Sequence, residues 1–269
     1  MSSPCLIVQA RMGGTRFPGK VLAPFLGEPM LLRQLKSLQQ VHIPSLTLVV
    51  ACPATKENTV LRLWCEKWEV ECSCPDVAEE DVLARYMETA NQYEADTIIR
   101  VTADCPLIDP EVICSMWEQW QRESSLDHLG IDGRWADGQD VEMFSREALT
   151  DAYVNAEARS DREHVTPFIW RQPGIFQCDT LPCPDDCSWQ QYSVDTPEDL
   201  ALAEKLAEKA FALKGFYYGW RDLSILLKQD VELRRLHEGR PMRNHRYLQQ
   251  VNEEQGHVST WDELRYGYQ

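Results

Sequence analysis

The chain has 269 residues, a length that suits one large α/β domain, alone or with an appendage. Hydrophobic residues make up 43% of it, which supports a substantial core and argues against wholesale disorder. The formal net charge of −16 makes DNA and RNA poor partners. The sequence shows neither a run of about 20 apolar residues nor a secretory signal, so we expect a cytoplasmic protein that has no membrane partner.

Short apolar runs alternate with helical patterns over the first half of the chain. Strands are predicted at 5–9, 46–51, 70–72 and 97–101. Helices are predicted at 30–40, 57–68, 81–93 and 110–121. This alternation predicts an α/β fold with a mostly parallel, Rossmann-like sheet and right-handed crossovers.

The alternation ends after residue 123, where a substrate-binding section is expected to be inserted. Strands are predicted at 126–131, 141–144, 175–177 and 193–195. Helices are predicted at 146–155, 161–171 and 197–213, with a short helix starting near 223–227. We therefore divide the chain into a nucleotidyltransferase-like domain, 1–215, and a C-terminal extension, 216–269, that is partly helical and basic.

The segment after the first strand has the composition of a phosphate-binding loop. Residues 1–27 contain Arg11, Arg16 and Lys20 but no acidic side chain, which suits a small polyanion. Three glycines allow sharp turns that point N–H groups at phosphate oxygens: Gly13, Gly14 and Gly19. The segment matches neither a Walker loop nor the dinucleotide-binding fingerprint, and an ordinary glycine turn with surface arginines is the alternative.

Two aspartates are predicted to follow strands at the edge of the sheet where ligands bind. Asp104 follows the strand at 97–101, and Asp195 ends the strand predicted at 193–195. Carboxylates at these places suit Mg²⁺, which binds one or two protein oxygens together with phosphates. Asp195 could instead cap the next helix. Asp104 could instead be a turn residue that caps the helix starting at Pro110, although Asp109 is the better cap there.

Four further residues are candidates for substrate binding. Asp140 and Glu142 can accept hydrogen bonds from sugar hydroxyls or an amine, whereas Arg162 and His164 can bind a carboxylate or phosphate. A solvated loop and an ordinary helix start are the alternatives.

The ten cysteines are expected to be reduced thiols rather than a disulfide framework. The denser groups are Cys72 with Cys74, and Cys178, Cys183 and Cys187. We favour reduced thiols over a zinc site there, because no second pair has the usual spacing.

Five segments resemble, in order, motifs of the spore-coat polysaccharide biosynthesis protein F family. They are 7–22 (IVQARMGGTRFPGKVL), 100–109 (RVTADCPLID), 137–145 (DGQDVEMFS), 162–167 (REHVTP) and 194–200 (VDTPEDL). That family belongs to the cytidylyltransferase group, which includes acylneuraminate and 3-deoxy-manno-octulosonate cytidylyltransferases. The resemblance covers about residues 5–210. Gly14 and Phe17 depart from it, since the family often has Ser and Leu there.

The resemblance implies a fold of the nucleotide-diphospho-sugar transferase type, CTP as substrate and often a homodimer. The nucleotide-binding residues that we predict are Gln9, Ala10, Arg11, Gly13, Gly14, Thr15, Arg16, Lys20, Thr102 and Ala103. The predicted catalytic residues are Arg11, Lys20 and Asp104, and the predicted Mg²⁺ ligands are Asp104 and Asp195.

The leading hypothesis is an Mg²⁺-dependent cytidylyltransferase that transfers CMP from CTP to a small anionic acceptor in surface polysaccharide or glycoconjugate biosynthesis. A glycosyltransferase on the same fold is a second hypothesis, although Asp140-Val-Glu142 is the nearest substitute for its Asp-x-Asp metal motif. A non-catalytic nucleotide-binding partner protein is the third. It would be signalled by loss of the charged loop residues, which are present.

Overall fold

The computed structural model describes residues 3–172, 174–215, 218–240 and 245–255. Its strands are β1 (Pro4–Gln9), β2 (Pro24–Phe25), β3 (Glu28–Pro29), β4 (Thr47–Ala51), β5 (Glu71–Ser73), β6 (Thr97–Thr102), β7 (His128–Ile131), β8 (Val141–Ser145) and β9 (Cys178–Leu181). Its α-helices are α1 (Met30–Leu38), α2 (Thr59–Lys67), α3 (Val82–Gln92), α4 (Pro110–Arg122), α5 (Arg146–Asn155), α6 (Arg159–His164), α7 (Pro167–Trp170), α8 (Pro197–Lys214), α9 (Trp220–Gln229), α10 (Val231–His237) and α11 (His245–Gln255).

Strand β1 lies inside a seven-stranded sheet of order β5-β4-β1-β6-β8-β7-β9. It pairs in parallel with both β4 and β6, so Val8 lies between Val50 and Val101. Alternate residues of β1 enter different cores: Leu6 packs on the side of α1, α2, α4 and α8, whereas Ile7 packs on the side of α3 and α5. The predicted α/β fold with a mostly parallel sheet is confirmed.

The second half of the sheet mixes strand directions. Strand β8 is antiparallel to β6 and β7, and β9 is parallel to β7. The strand predicted at 175–177 is wrong, because the strand is Cys178–Leu181. The apolar pair Ile175 and Phe176 gave the misleading signal; Phe176 packs against Phe168 in the core, outside the sheet.

Two further elements differ from the sequence-based expectation. The segment 193–195 is not a strand: the Val194 amide donates to the Asp104 carbonyl (2.8 Å), so the chain crosses the strand ends. The helix predicted at 161–171 is two short helices, α6 and α7. They are separated at Val165, whose φ of 75° lies in the left-handed region and interrupts the helical backbone.

Helix α8 connects the sheet to the C-terminal part of the chain. It begins with a capping box in which Thr196 and Asp199 satisfy each other's backbone amides. Leu223, Leu227 and Leu233 pack in the same core as Leu202 of α8. The boundary after residue 215 stays a prediction, but side chains from both sides of it share that core. In the described parts of the chain, every helix is too short or too polar to span a membrane.

Candidate active site

A cavity of about 720 Å³ lies at the carboxyl ends of β1 and β6. Among the residues singled out in the sequence, those that line it are Gln9, Ala10, Arg11, Gly13, Gly14, Thr15, Arg16, Lys20, Thr102, Ala103, Asp104, Asp140, Glu142, His164 and Asp195. Parallel strands that end together bring these residues into one place, since the loops that follow them leave the same edge of the sheet.

The loop after β1 folds back on itself. The Gly19 amide donates to the Met12 carbonyl (2.8 Å), and Gly19 has a φ of 72°, a conformation that favours glycine. The Met12 amide donates to Asn58 Oδ1 (2.7 Å), which ties the loop to the start of α2. A Cβ on Gly13 would lie 3.0 Å from Glu79 Oε1, so the backbone there passes close to an acidic side chain.

Lys20 is the central cation of the site. Its Nζ donates to Asp104 Oδ2 (3.0 Å), Asp195 Oδ1 (3.0 Å) and the Val194 carbonyl (2.7 Å). Arg16 lies 2.5 Å from the other carboxylate oxygen of Asp195. The loop and the two strand-end carboxylates therefore form one charged cluster.

The electrostatics of this cluster keep Asp104 and Lys20 ionised. Burial alone would raise the pKa of Asp104, but the charge of Lys20 and the hydrogen bonds from Thr102 and Lys20 lower it to about 2. Burial would lower the pKa of Lys20, but Asp104 and Asp195 raise it above its ordinary value. At neutral pH the site therefore holds the Asp104 carboxylate against the Lys20 ammonium.

Asp195 is held in place by the start of α8. Its backbone amide donates to Asp199 Oδ2 (3.0 Å), and the Thr196 amide donates to the same oxygen (2.8 Å). The other Asp199 oxygen forms an ion pair with Arg240. Helix capping and the position of Asp195 therefore depend on the same carboxylate.

Glu142, which also lines the cavity, lies at the centre of a buried polar network. Its Oε2 accepts from Arg100 (2.7 Å), and its Oε1 accepts from Thr166 Oγ1 (2.7 Å) and lies 3.1 Å from His128 Nε2. Burial opposes ionisation of Glu142, but the hydrogen bond from His128 and the charge of Arg100 hold its pKa well below the usual range. Both oxygens are engaged, so Glu142 organises the wall of the cavity.

A cluster of rings closes the side of the cavity near α6. His164 and Trp170 each pack edge-on against Tyr247 of α11, with ring centroids 5.0 and 6.0 Å apart. His164 Nε2 hydrogen-bonds with Gln250 Oε1 (3.1 Å), which attaches α11 to α6. Burial, and then the charge of Arg100, lowers the pKa of His164, so its imidazole is neutral at pH 7.

The structure does not bring Arg162 to the cavity. Its guanidinium donates to Asp81 Oδ2 from Nε (2.9 Å) and Nη2 (2.7 Å), and its Nη1 donates to the carbonyls of Tyr153 and Ala156. A helical residue two positions before His164 points to a different face. Arg162 therefore joins α6 to the start of α3.

Sequence reasoning missed four residues that shape the cavity: Glu79, Arg85, Arg100 and Tyr247. Glu79 Oε1 lies 3.7 Å from Arg11 Nη1, and the Glu79 carbonyl accepts from Arg85 (2.6 Å). The sequence could have identified Arg100 as a cavity residue, because it stands two positions before Thr102 in a strand and so shares its face. Nothing in the sequence pointed to Tyr247, since its contacts are with residues distant in sequence.

The chain matches the sequence profile of a family described as Cytidylyltransferase over residues 5–225. It is similar to the spore coat polysaccharide biosynthesis protein SpsF of Bacillus subtilis, with 31% identity over 78% of this chain and 88% of that protein. It is also similar to a 3-deoxy-manno-octulosonate cytidylyltransferase of Trichlorobacter lovleyi, with 33% identity over 40% of each chain.

Solved structures share the fold. A cytidylyltransferase from Leptospira borgpetersenii superposes with a TM-score of 0.77 at 22% identity, covering 90% of this chain and 99% of that one. A CMP:2-keto-3-deoxy-manno-octonic acid synthetase complexed with CTP superposes with a TM-score of 0.61 at 16% identity, covering 77% of this chain and 99% of that one.

Proposed function

The chain belongs to the cytidylyltransferase family and is therefore a nucleotidyltransferase, and from this premise we propose that it transfers CMP from CTP to an anionic sugar or related acceptor. Pyrophosphate is the second product. The acceptor oxygen attacks the α-phosphorus of CTP, one P–O bond forms, and the bond to the pyrophosphate leaving group breaks. The product serves surface polysaccharide or glycoconjugate biosynthesis.

The observation that carries this proposal is the convergence of Asp104 and Asp195 on Lys20, each 3.0 Å from its ammonium. A binding site for a triphosphate and its counter-cation needs both signs of charge in one place. The cluster lies beside the glycine-containing loop, whose N–H groups can bind phosphate oxygens. Arg11, Arg16 and Lys20 bind the triphosphate in this proposal, and Lys20 stabilises the charge that develops on the leaving group.

Asp104 and Asp195 fit a divalent cation, because their carboxylate oxygens already converge on a single positive charge. When bound, Mg²⁺ neutralises the triphosphate and polarises the reacting phosphate. The chain's own groups do the positioning: Asp199 holds the backbone of Asp195, and Lys20 holds the carboxylate of Asp104.

The part of the cavity wall that contains Arg100 suits an anionic acceptor. Arg100 lines the cavity and keeps its charge, since Glu142 raises its pKa against the opposing effect of burial. An anionic acceptor in the cavity would therefore meet a positively charged side chain. Asp140 and neutral His164 provide further polar contacts, whereas the Tyr247 ring excludes water.

The test is a screen of the four ribonucleoside triphosphates crossed with acidic sugars, read by pyrophosphate release. Release that requires both CTP and one acidic sugar is the expected result. Equal release from all four triphosphates would contradict the assignment of the base. No release from any pair, with CTP bound tightly in calorimetry, would instead support a non-catalytic nucleotide-binding protein.

The proposal also includes a homodimer in the cytoplasm. Light scattering on the protein as it elutes from a sizing column measures the mass of the assembly in solution. The mass of a single chain would contradict the homodimer.

A further inference from the structure

Three cysteine side chains meet outside the cavity, at the edge of the sheet. Cys52 follows β4, and Cys72 and Cys74 belong to β5 and the residue after it. The sulfurs of Cys52, Cys72 and Cys74 all lie within 4.8 Å of one another. Cys65 lies on α2, which packs against β5, and together with these three it forms a group that we call the cysteine cluster.

Strand register explains why the cluster forms. Val50 pairs with Cys72 and Ala51 with Ser73, and the Cys52 amide donates to the Ser73 carbonyl (3.0 Å), so Cys52 and Cys74 are neighbours across the two strands. The Ser73 hydroxyl contacts Thr89 and Gln92 of α3 on the opposite face of the sheet. Because side chains alternate along a strand, Cys72 and Cys74 both face α2.

The sulfur distances are those of a metal site rather than of a disulfide. Cys52 Sγ lies 3.2 Å from Cys74 Sγ, and Cys72 Sγ lies 3.6 Å from Cys74 Sγ. A disulfide requires about 2.05 Å. Four sulfurs at about 2.3 Å from a tetrahedral Zn²⁺ lie about 3.8 Å apart. The sulfurs of Cys52, Cys72 and Cys74 therefore need only a small expansion to accept a metal ion, and Cys65 can supply the fourth sulfur from α2.

We propose that the cysteine cluster is a structural Zn²⁺ site, with Cys52, Cys72 and Cys74 as ligands and Cys65 as the fourth. Each thiol that becomes a ligand forms one Zn–S bond and releases its proton to water.

The site would fasten an edge strand. Among the described strands, β5 pairs with β4 alone, and it is three residues long. The chain that leaves Cys74 passes through Glu79, beside Gly13 and Arg11, and reaches Asp81, the N-cap of α3. A metal that joins β4, α2 and β5 would anchor the beginning of this segment.

The test is metal analysis of the full-length protein purified without chelator and under reducing conditions. We expect about one zinc per chain, lost in Cys72→Ser and in Cys74→Ser and kept in the control Cys178→Ser, whose thiol is exposed on β9. The metal-free protein refilled with Co²⁺ should give the charge-transfer and visible bands of a tetrahedral thiolate site. The Co²⁺ spectrum is measured on the wild-type protein, so it does not depend on how well a variant folds.

Three results would overturn the proposal. One is wild-type protein that contains no zinc and gives no thiolate bands with Co²⁺. Another is iron in place of zinc. The third is a Cys52–Cys74 disulfide, seen by peptide mass analysis, in protein kept reduced. The proposed cytidylyl transfer could fail while the zinc is found, because the cluster lies outside the cavity.

Discussion

The ammonium of Lys20 lies 3.0 Å from a carboxylate oxygen of Asp195, although 175 positions separate the two residues in the chain. The same ammonium lies 3.0 Å from Asp104. Lys20 is thus the residue that joins the loop after β1 to the two strand-end carboxylates.

Lys20→Met should reduce CMP transfer by about two to three orders of magnitude, the usual effect of removing one preorganised charge from a reacting phosphate. The measurement is the initial rate of pyrophosphate release at saturating CTP and acceptor. Lys36→Met is the matched control, because Lys36 lies on α1 outside the cavity and is half exposed. A Lys20→Met rate within a factor of about three of the wild-type rate would remove Lys20 from the reaction.

Chelation of divalent cations should abolish turnover, and added Mg²⁺ should restore it. Asp195→Asn should then need a higher Mg²⁺ concentration for half-maximal rate, because the amide loses the charge that attracts the cation. Thr196→Ser, which keeps the capping hydroxyl beside it, serves as the control. Turnover that persists in excess EDTA would show that the reaction does not need a divalent cation bound by Asp104 and Asp195.

Glu142→Gln should destabilise the protein at pH 7 by about 3 kcal/mol, since it leaves the buried charge of Arg100 without its partner. The folded-state pKa of Glu142 lies below its unfolded value of about 4.3. Its stabilising contribution is therefore complete above about pH 4.3 and is lost as the pH falls towards the folded value.

The difference in free energy of unfolding between wild type and Glu142→Gln should accordingly shrink between pH 5 and pH 3, as measured by urea denaturation. Glu208→Gln, at an exposed position of α8, is the control and should show little difference at any pH. A Glu142→Gln deficit that stays constant with pH would mean that the ionised carboxylate is not what stabilises this wall.

Thr196→Ala should lower the free energy of unfolding by about 1 kcal/mol, because it removes the hydroxyl that accepts a hydrogen bond from the Asp199 amide at the start of α8. Thr196→Ser should recover most of the loss. The midpoint of urea denaturation measures both. Equal stability of all three proteins would show that α8 does not depend on this cap.

Tyr247→Ala should raise the KM for the acceptor about tenfold and leave the KM for CTP within a factor of about two. Tyr247 packs against His164 and Trp170, the part of the cavity wall that we assign to the acceptor. Leu213→Ala, an exposed side chain of α8, is the control. A parallel rise in both KM values would place the ring beside the nucleotide instead.

The sequence allowed the first half of the fold and most of the cavity to be predicted, for identifiable reasons. Strands β1, β4 and β6 are buried on both faces and read as apolar runs, so the residues after them were expected at one edge. That logic placed the loop with Arg11, Arg16 and Lys20 near Asp104.

Other parts carried no such signal. Asp195 lies at the edge of the sheet where it was expected, but the strand predicted at 193–195 is wrong. The residue reaches the site on an irregular segment that crosses the strand ends. Strand β9 is half-buried and polar, whereas Phe176 beside it packs in the core. Arg162 sits in a matching motif but turns towards Asp81. The sequence singled out Cys72 and Cys74 but favoured reduced thiols there, because strand register, not a spacing motif, brings Cys52 next to them.

Tyr247 stands on α11, and the family match ends at residue 225. Tyr247, which lines the cavity, thus lies on a helix beyond the residues that the family profile matches. Under the proposed function, the choice of acceptor can diverge through exchange of this last helix, while the loop that binds the triphosphate stays unaltered. Under the same proposal, a shortened chain that ends before α11 would lose Tyr247 from the acceptor side of the site.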